Sequence, residues 1–239
     1  MTTGSTSHII LFSATLLFLV ISSVAIAKMP RWLQNVMFFI AALLGAGGIF
    51  FRYALNMSFA NEVNWQSLAI QMLQVCNFNF VILPLMLVPK FEWARQYSVY
   101  FSMFAAATTM FSIPASYSGL EWYDASLMNF WFNHFFAIAL PIWMLASKRL
   151  APKRKYIPFV TGAVFSYFTL VFVITEWLMK IGVLAPGSSF SYVHDPKGMP
   201  VITELYELIG GPYVHLLPLL LVLAVFFWLW SIPFRNKDN

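Results

Sequence analysis

Apolar residues fall along this chain in long blocks separated by short polar breaks. A helix that crosses a bilayer needs roughly 20 consecutive, mostly apolar residues. Seven blocks meet that length, at about 9–27, 33–54, 67–88, 97–114, 127–146, 156–179 and 213–232. The pattern predicts an all-α fold: a polytopic membrane helical bundle with about seven transmembrane helices, forming a single transmembrane domain over 1–239. The first block ends in "AIA" (25–27), which resembles a signal-peptide cleavage site. No basic residue precedes it and its apolar run is long for such a segment, so it is read as a retained helix.

The breaks carry a charge pattern. Lys28 and Arg31 follow the first block, Lys90 and Arg95 the third, and Lys148, Arg149, Lys153, Arg154 and Lys155 the fifth. Arg235 and Lys237 end the chain. These are alternate breaks, which assigns them to the cytoplasmic side by the positive-inside rule. The opposite breaks hold Glu121, Asp124, Asp195, Glu204 and Glu207 beside Arg52, Lys180 and Lys197. The expected protein is a multi-pass protein of the plasma (cell inner) membrane, N-terminus outside and C-terminus cytoplasmic. The one long connection, 180–212, reads "KIGVLAPGSSFSYVHDPKGMPVITELYELIGGP". Its Gly, Pro and Ser make turns. Phe190, Tyr192, Val201, Ile202 and Leu205 are too apolar for a free loop. It is expected to be an extracytoplasmic loop folded back on the bundle, as a cap or a short interfacial helix.

Composition fixes the solvent. Of 239 residues 60% are hydrophobic and only 10% charged, with a mean hydropathy of +0.74. No soluble domain of this size can hide that much apolar surface, so the partner is membrane lipid. The formal charge of +5 gathers in short breaks, above all "SKRLAPKRK" (147–155). That is topogenic charge, and nucleic acid is not expected as a partner. The single cysteine, Cys76, excludes an internal disulfide.

Polar residues inside the blocks mark candidate chemistry. His134 lies about seven residues into the fifth block, on the order of 10 Å deep at the helical rise. Cys76 lies about nine residues into the third, on the order of 13 Å deep by the same rise. Both blocks run inward, so the two side chains share a layer. Gln74, Asn77 and Asn79 flank Cys76, and Asn129 and Asn133 flank His134. Glu176 stands near the outer end of the sixth block, and His8 and His215 open the first and seventh. Polar groups in a bilayer turn away from lipid, which implies an outward-opening polar cavity lined by the first, third, fifth, sixth and seventh spans. Each residue alone has an ordinary structural role: a lone Cys is usually a small buried hydrophobe, and a lone intramembrane His is often an interhelical hydrogen-bond partner. Together, a cysteine and a histidine at one depth on different helices form a nucleophile with its base.

Several segments resemble a known family. "TSHIILFSATLLFLV" (6–20) is similar to the Ser-His opening of the first span in YwaF-type integral membrane proteins, relatives of transmembrane protein 164. "QMLQVCNFNFVILPLML" (71–87) resembles their cysteine segment, with Cys76 at the cysteine and Gln74 at the polar position two before it. "LMNFWFNHFFAIALPIWML" (127–145) resembles their Phe-rich span, whose histidine falls on His134. "DPKGMPVITELYELIGGPYVHLL" (195–217) and the terminal "SIPF" (231–234) fit as well. Met72 stands where the family has Pro, and "SSFSY" (188–192) stands where an Asn-Tyr pair is expected. The resemblance implies a multi-span membrane protein. For the animal relatives it implies cysteine- and histidine-dependent acyl transfer between phospholipids, carried here by Cys76 and His134, with His8 a further candidate.

Three functions are consistent with these residues. In the first, the chain is a lipid acyltransferase in which Cys76 and His134 are catalytic. His8, Gln74, Asn77, Asn79, Asn133, Glu176 and His215 then bind substrate, with no cofactor. The same machinery hydrolyses lipid when water is the acceptor. In the second, His8, His134, Glu176 and His215 line the outward cavity of a transporter or small-molecule-binding protein. No inverted repeat or broken span supports it, and no HxxH or HxxxH spacing supports a metal held by His8, His134 and His215. In the third, the chain is a structural membrane subunit. The loop charges also make a topological prediction. In a Cys76→Ala background, single cysteines placed at residues 120 and 150 should react with an impermeant maleimide from opposite sides of the membrane; labelling from one side would refute it.

Overall fold

The computed structural model describes residues 2–57, 69–113, 117, 119–195 and 200–237. Arg52's side chain, Lys197, Val201's side chain, residues 67–68 and Pro114 lie outside the described residues. Every regular element among the described residues is helical. The chain divides into two compact units, one of Met1–Met72 and Cys76–Pro152, the other of Leu73–Val75 and Lys153–Asn239.

In the first unit, α1 (Thr6–Lys28) begins at Ser5, whose side chain accepts from the His8 backbone N–H at 3.3 Å. This N-cap satisfies a donor that the first helical turn leaves unpaired. Pro30 lies shortly after the helix, and α2 (Arg31–Met57) starts at once. Gln34 closes this corner, donating to the carbonyls of Ile26 and Met29 at 3.1 Å each. α1 buries only His8, Leu19, Ser23 and Ile26. Ile10, Leu17, Phe18 and Val20 all stand out from the protein, the surface that a bilayer would cover.

The axis of this unit is α6 (Ala125–Ala146), capped by Asp124, which accepts from Ser126 N–H at 2.8 Å. It packs against α1, α2 and α5 (Met103–Phe111). Pro141 sits inside it and removes one intrahelical donor. The approach of α6 to α2 is tight. A Cβ on Gly45 would meet Leu83 at 2.6 Å and Phe136 at 3.2 Å, and one on Gly48 would collide with the Asn133 amide. Small residues at this spacing let two membrane helices touch backbone to side chain.

Among the described residues, five helices are long and apolar enough to cross a membrane: Thr6–Lys28, Arg31–Ile49, Ala125–Ala146, Arg154–Lys180 and Val214–Phe234. The expected third and fourth spans take other forms. The third is a short helix, α3 (Val75–Ile82), that tightens at Pro84 into a 3₁₀ stretch, Leu83–Leu87. Proline lacks the N–H that an α-helix needs there. The fourth is a continuous helical run of α4 (Glu92–Tyr97), a π-helical turn (Ser98–Ser102) and α5. A π turn inserts an extra residue and rotates the helix beyond it. Where about seven spans are expected, the described residues thus hold five long helices and these two irregular segments.

In the second unit, α7 (Ile157–Lys180) packs against α9 (Leu217–Ser231). Gly182 (φ +75°) lets the chain leave α7, with Val183 N–H returning to Leu178 O at 2.9 Å. The long connection contains a helix, α8 (Pro200–Ile209). Ile202, Leu205 and Tyr206 are half-buried, while Glu204, Glu207 and Leu208 are exposed.

The α2–α6 contact yields a direct test. Gly48→Ala should destabilise the protein by about 1–3 kcal/mol, the usual cost of overpacking. Gly162→Ala, where a Cβ meets nothing within 4 Å, should be neutral or slightly stabilising. Thermal unfolding of both variants in detergent checks the contrast.

Candidate functional site

In the first unit, α3 brings Cys76 against α5 and Phe80 against the His134 ring of α6. Cys76, Asn79 and Phe80 share one face of α3, being three and four residues apart. Cys76 is half-buried, and its Sγ lies 3.8 Å from Thr109 Oγ1 on α5. The Thr109 hydroxyl hydrogen is directed at Ala105 O, 2.8 Å away. A hydroxyl has one proton to give, so in this state the thiol is the donor to Thr109.

His134 is buried on α6, with its ring edge-on to Phe80 at 5.1 Å and tilted over Phe130 at 4.3 Å. Its Nδ1 lies 2.7 Å from the carbonyl of Phe130, one turn earlier. A carbonyl only accepts, so Nδ1 carries the proton and Nε2 is the basic nitrogen of the neutral ring. Phe80 links the two predicted residues: it lies one helical turn beyond Cys76 and against the His134 imidazole.

His8 joins the start of α1 to the end of α5. Gly4 N–H donates to its Nδ1 at 3.0 Å, so Nε2 carries the proton and donates to Met110 O at 3.0 Å. Both ring nitrogens are therefore engaged by backbone. The ring packs against Trp131 at 5.9 Å. Asn79 is buried and its Oδ1 accepts from Tyr97 OH at 3.0 Å, which makes Nδ2 the donor end of the amide.

The remaining candidates have hydrogen-bond partners within the protein. Asn77 Nδ2 donates to Gln71 O at 2.7 Å, and Asn133 Nδ2 to Asn129 Oδ1 at 3.4 Å. Gln74, Glu176 and His215 belong to the second unit. Gln74 Oε1 accepts from Ser191 N–H at 3.3 Å. Ser191 Oγ donates to Leu73 O at 2.6 Å and accepts from Val75 N–H at 2.8 Å. Glu176 Oε1 meets His194 Nε2 at 2.7 Å, and the His194 ring stacks on Phe172 at 5.2 Å. His215 is fully buried, with Nε2 2.9 Å from Tyr192 O, Nδ1 3.2 Å from Gly211 O and Tyr206 edge-on to the ring. It pins the long connection to the start of α9. Among the described residues, no three His, Cys, Asp or Glu side chains come together to hold a metal ion.

Sequence reading missed Thr109, Tyr97 and His194. Thr109 had a signal, the Thr108–Thr109 pair inside an apolar block. His194 had none, because its partner Glu176 lies across a turn whose path the sequence does not specify.

His215 gives the site's structural test. His215→Leu removes the ring's one N–H from the part-buried carbonyls of Tyr192 and Gly211, which should cost about 1 kcal/mol. Hydrogen exchange should speed up at residues 190–195 and 211–216, while Cys76 keeps its reactivity toward a thiol reagent. Unchanged exchange would contradict the pinning role.

No curated protein and no solved structure matches the chain. A family model matches residues 3–232, nearly the full length, a span that contains Cys76 and His134 of this chain. The chain is a helical membrane protein that belongs to the TMEM164 family.

Proposed function

We propose that this protein is an integral-membrane lipid acyltransferase working through Cys76 and His134. One observation carries the reading: Phe80, a turn beyond Cys76 on the same helix face, packs edge-on against the His134 ring at 5.1 Å. Phe80 thereby connects the helix that bears Cys76 to the His134 ring, and the ring's proton on Nδ1 leaves Nε2 as the base.

In the proposed reaction, Nε2 of His134 takes the Cys76 proton, and the thiolate adds to the ester carbonyl carbon of a donor lipid. The tetrahedral adduct collapses with cleavage of the C–O bond. The leaving lyso-lipid oxygen takes the proton back from His134, and the acyl group stays on sulfur as a thioester. A hydroxyl of the acceptor lipid then gives its proton to His134 as it attacks the thioester carbon, and the Cys76 thiol is regenerated by that proton. Water in place of the acceptor gives hydrolysis. Asn79 is the best-placed oxyanion donor, because Tyr97 holds its oxygen and so fixes its NH₂ as the donor end. Thr109 accepts the resting thiol and, by rotating away from Ala105, donates to the thiolate. The site lies in the outer half of an inner-membrane protein whose C-terminus is cytoplasmic.

A transporter with a His- and Glu-lined cavity draws less support. Both ring nitrogens of His8 and of His215 face backbone partners, and Glu176 is engaged by His194.

Cys76→Ser should keep its melting temperature yet lose acyl transfer by about 100-fold or more, because a serine hydroxyl ionises far less readily than a thiol. His134→Gln keeps a donor for Phe130 O but cannot cycle a proton, and should lose a similar factor. The double variant should be no worse than either single one, since the pair acts as a unit. Lipid turnover and melting temperature of the three variants in detergent decide the matter; full turnover by Cys76→Ser would end the thiol mechanism.

A further inference from the structure

The charged end of the first unit holds a second feature, a cavity of about 650 Å³. Its floor is apolar: Phe38 and Met144 are each only 3% exposed. Its rim is cationic, formed by Arg95 and Arg149 with Asn35. Both guanidiniums are held in place. Arg95 Nε donates to Met86 O at 2.8 Å, and Arg149 Nη2 donates to Asn35 Oδ1 at 2.9 Å. Each guanidinium has five donors, more than these contacts use. Glu92 lies 3.7 Å from Arg95 and offsets part of its charge. Among the described residues Arg149 makes no ion pair.

Phe39 lines the same cavity and is 59% exposed on a helix long and apolar enough to cross the membrane. The cavity wall thus continues onto the surface that acyl chains cover. A free inorganic anion would gain the two arginines but nothing from Phe38, Phe39, Leu87 and Met144. An anionic lipid satisfies both halves, with phosphate on the rim and the start of an acyl chain over the apolar floor. The volume is within the range of small-molecule sites, and basic pockets between membrane helices are the usual seats of acidic head groups. We propose that this cavity is a binding site for an anionic phospholipid of the bilayer, with the phosphate held by Arg149 and Arg95. It is separate from Cys76 and does not depend on the acyl-transfer reading.

The test uses the full chain in neutral detergent, with equimolar phosphatidylglycerol and phosphatidylcholine of matched acyl chains, and native mass spectrometry of the retained lipid. Wild type should retain phosphatidylglycerol in preference by about tenfold or more, as two basic residues acting together allow. Arg149→Gln should lower that preference by about fivefold. Arg95 also braces Met86 O, so Arg149→Gln on its exposed side chain is the deciding variant if Arg95→Gln does not fold. Lys155→Gln, an equal loss of charge at a residue that does not line the cavity, should leave the preference unchanged. Equal retention of the two lipids, an unaffected Arg149→Gln, or the same loss in Lys155→Gln would each overturn the site. Displacement of the lipid by an equal concentration of inorganic phosphate would overturn its assignment to a lipid.

Discussion

Hydrocarbon neither donates nor accepts hydrogen bonds, and the polar side chains in this protein's apolar blocks are arranged under that constraint. A polar group left bare in lipid costs several kcal/mol, which favours a partner inside the protein. Some find it on their own helix: Thr15, Ser23 and Thr109 bond to carbonyls one turn back. Others must reach a second helix. Trp143 Nε1 donates to Ser22 Oγ at 3.0 Å, and Tyr97 OH to Asn79. Those cross-helix bonds set the rotation of each helix about its axis, because only one rotation brings the pair together.

The same constraint shapes the candidate chemistry. A catalytic histidine in lipid needs one nitrogen fixed so that the other is basic. The Phe130 carbonyl provides that for His134 without using another side chain. His8, by contrast, has an N–H donor on one nitrogen and a carbonyl on the other, so it serves as a clamp between the start of α1 and the end of α5. Two histidines that look equivalent as letters are thus separated by the direction of their hydrogen bonds. The irregular third segment obeys the same logic. The backbone around Gln74 is not continued as helix, and its orphan groups, Leu73 O and Val75 N–H, are paired by the Ser191 side chain instead.

Block length and block composition are local properties, and they determined a great deal on their own: an all-helical membrane protein and the positions of five long helices among the described residues, while short motifs carried the family resemblance. They did not determine how many blocks become full-length helices, because Pro84 and the π turn at Ser98–Ser102 redirect the backbone within blocks that still look uniformly apolar. They also did not sort the polar residues. Depth along a helix comes from residue count, whereas facing direction turns by about 100° per residue and is settled by contacts far apart in sequence. His8 meets Met110 across 102 positions, and Val75 meets Ser191 across 116. Only those long-range contacts decided that Gln74 and His215 anchor the long connection, that Thr109 rather than an asparagine is the thiol's partner, and that Arg95 and Arg149 rim one cavity.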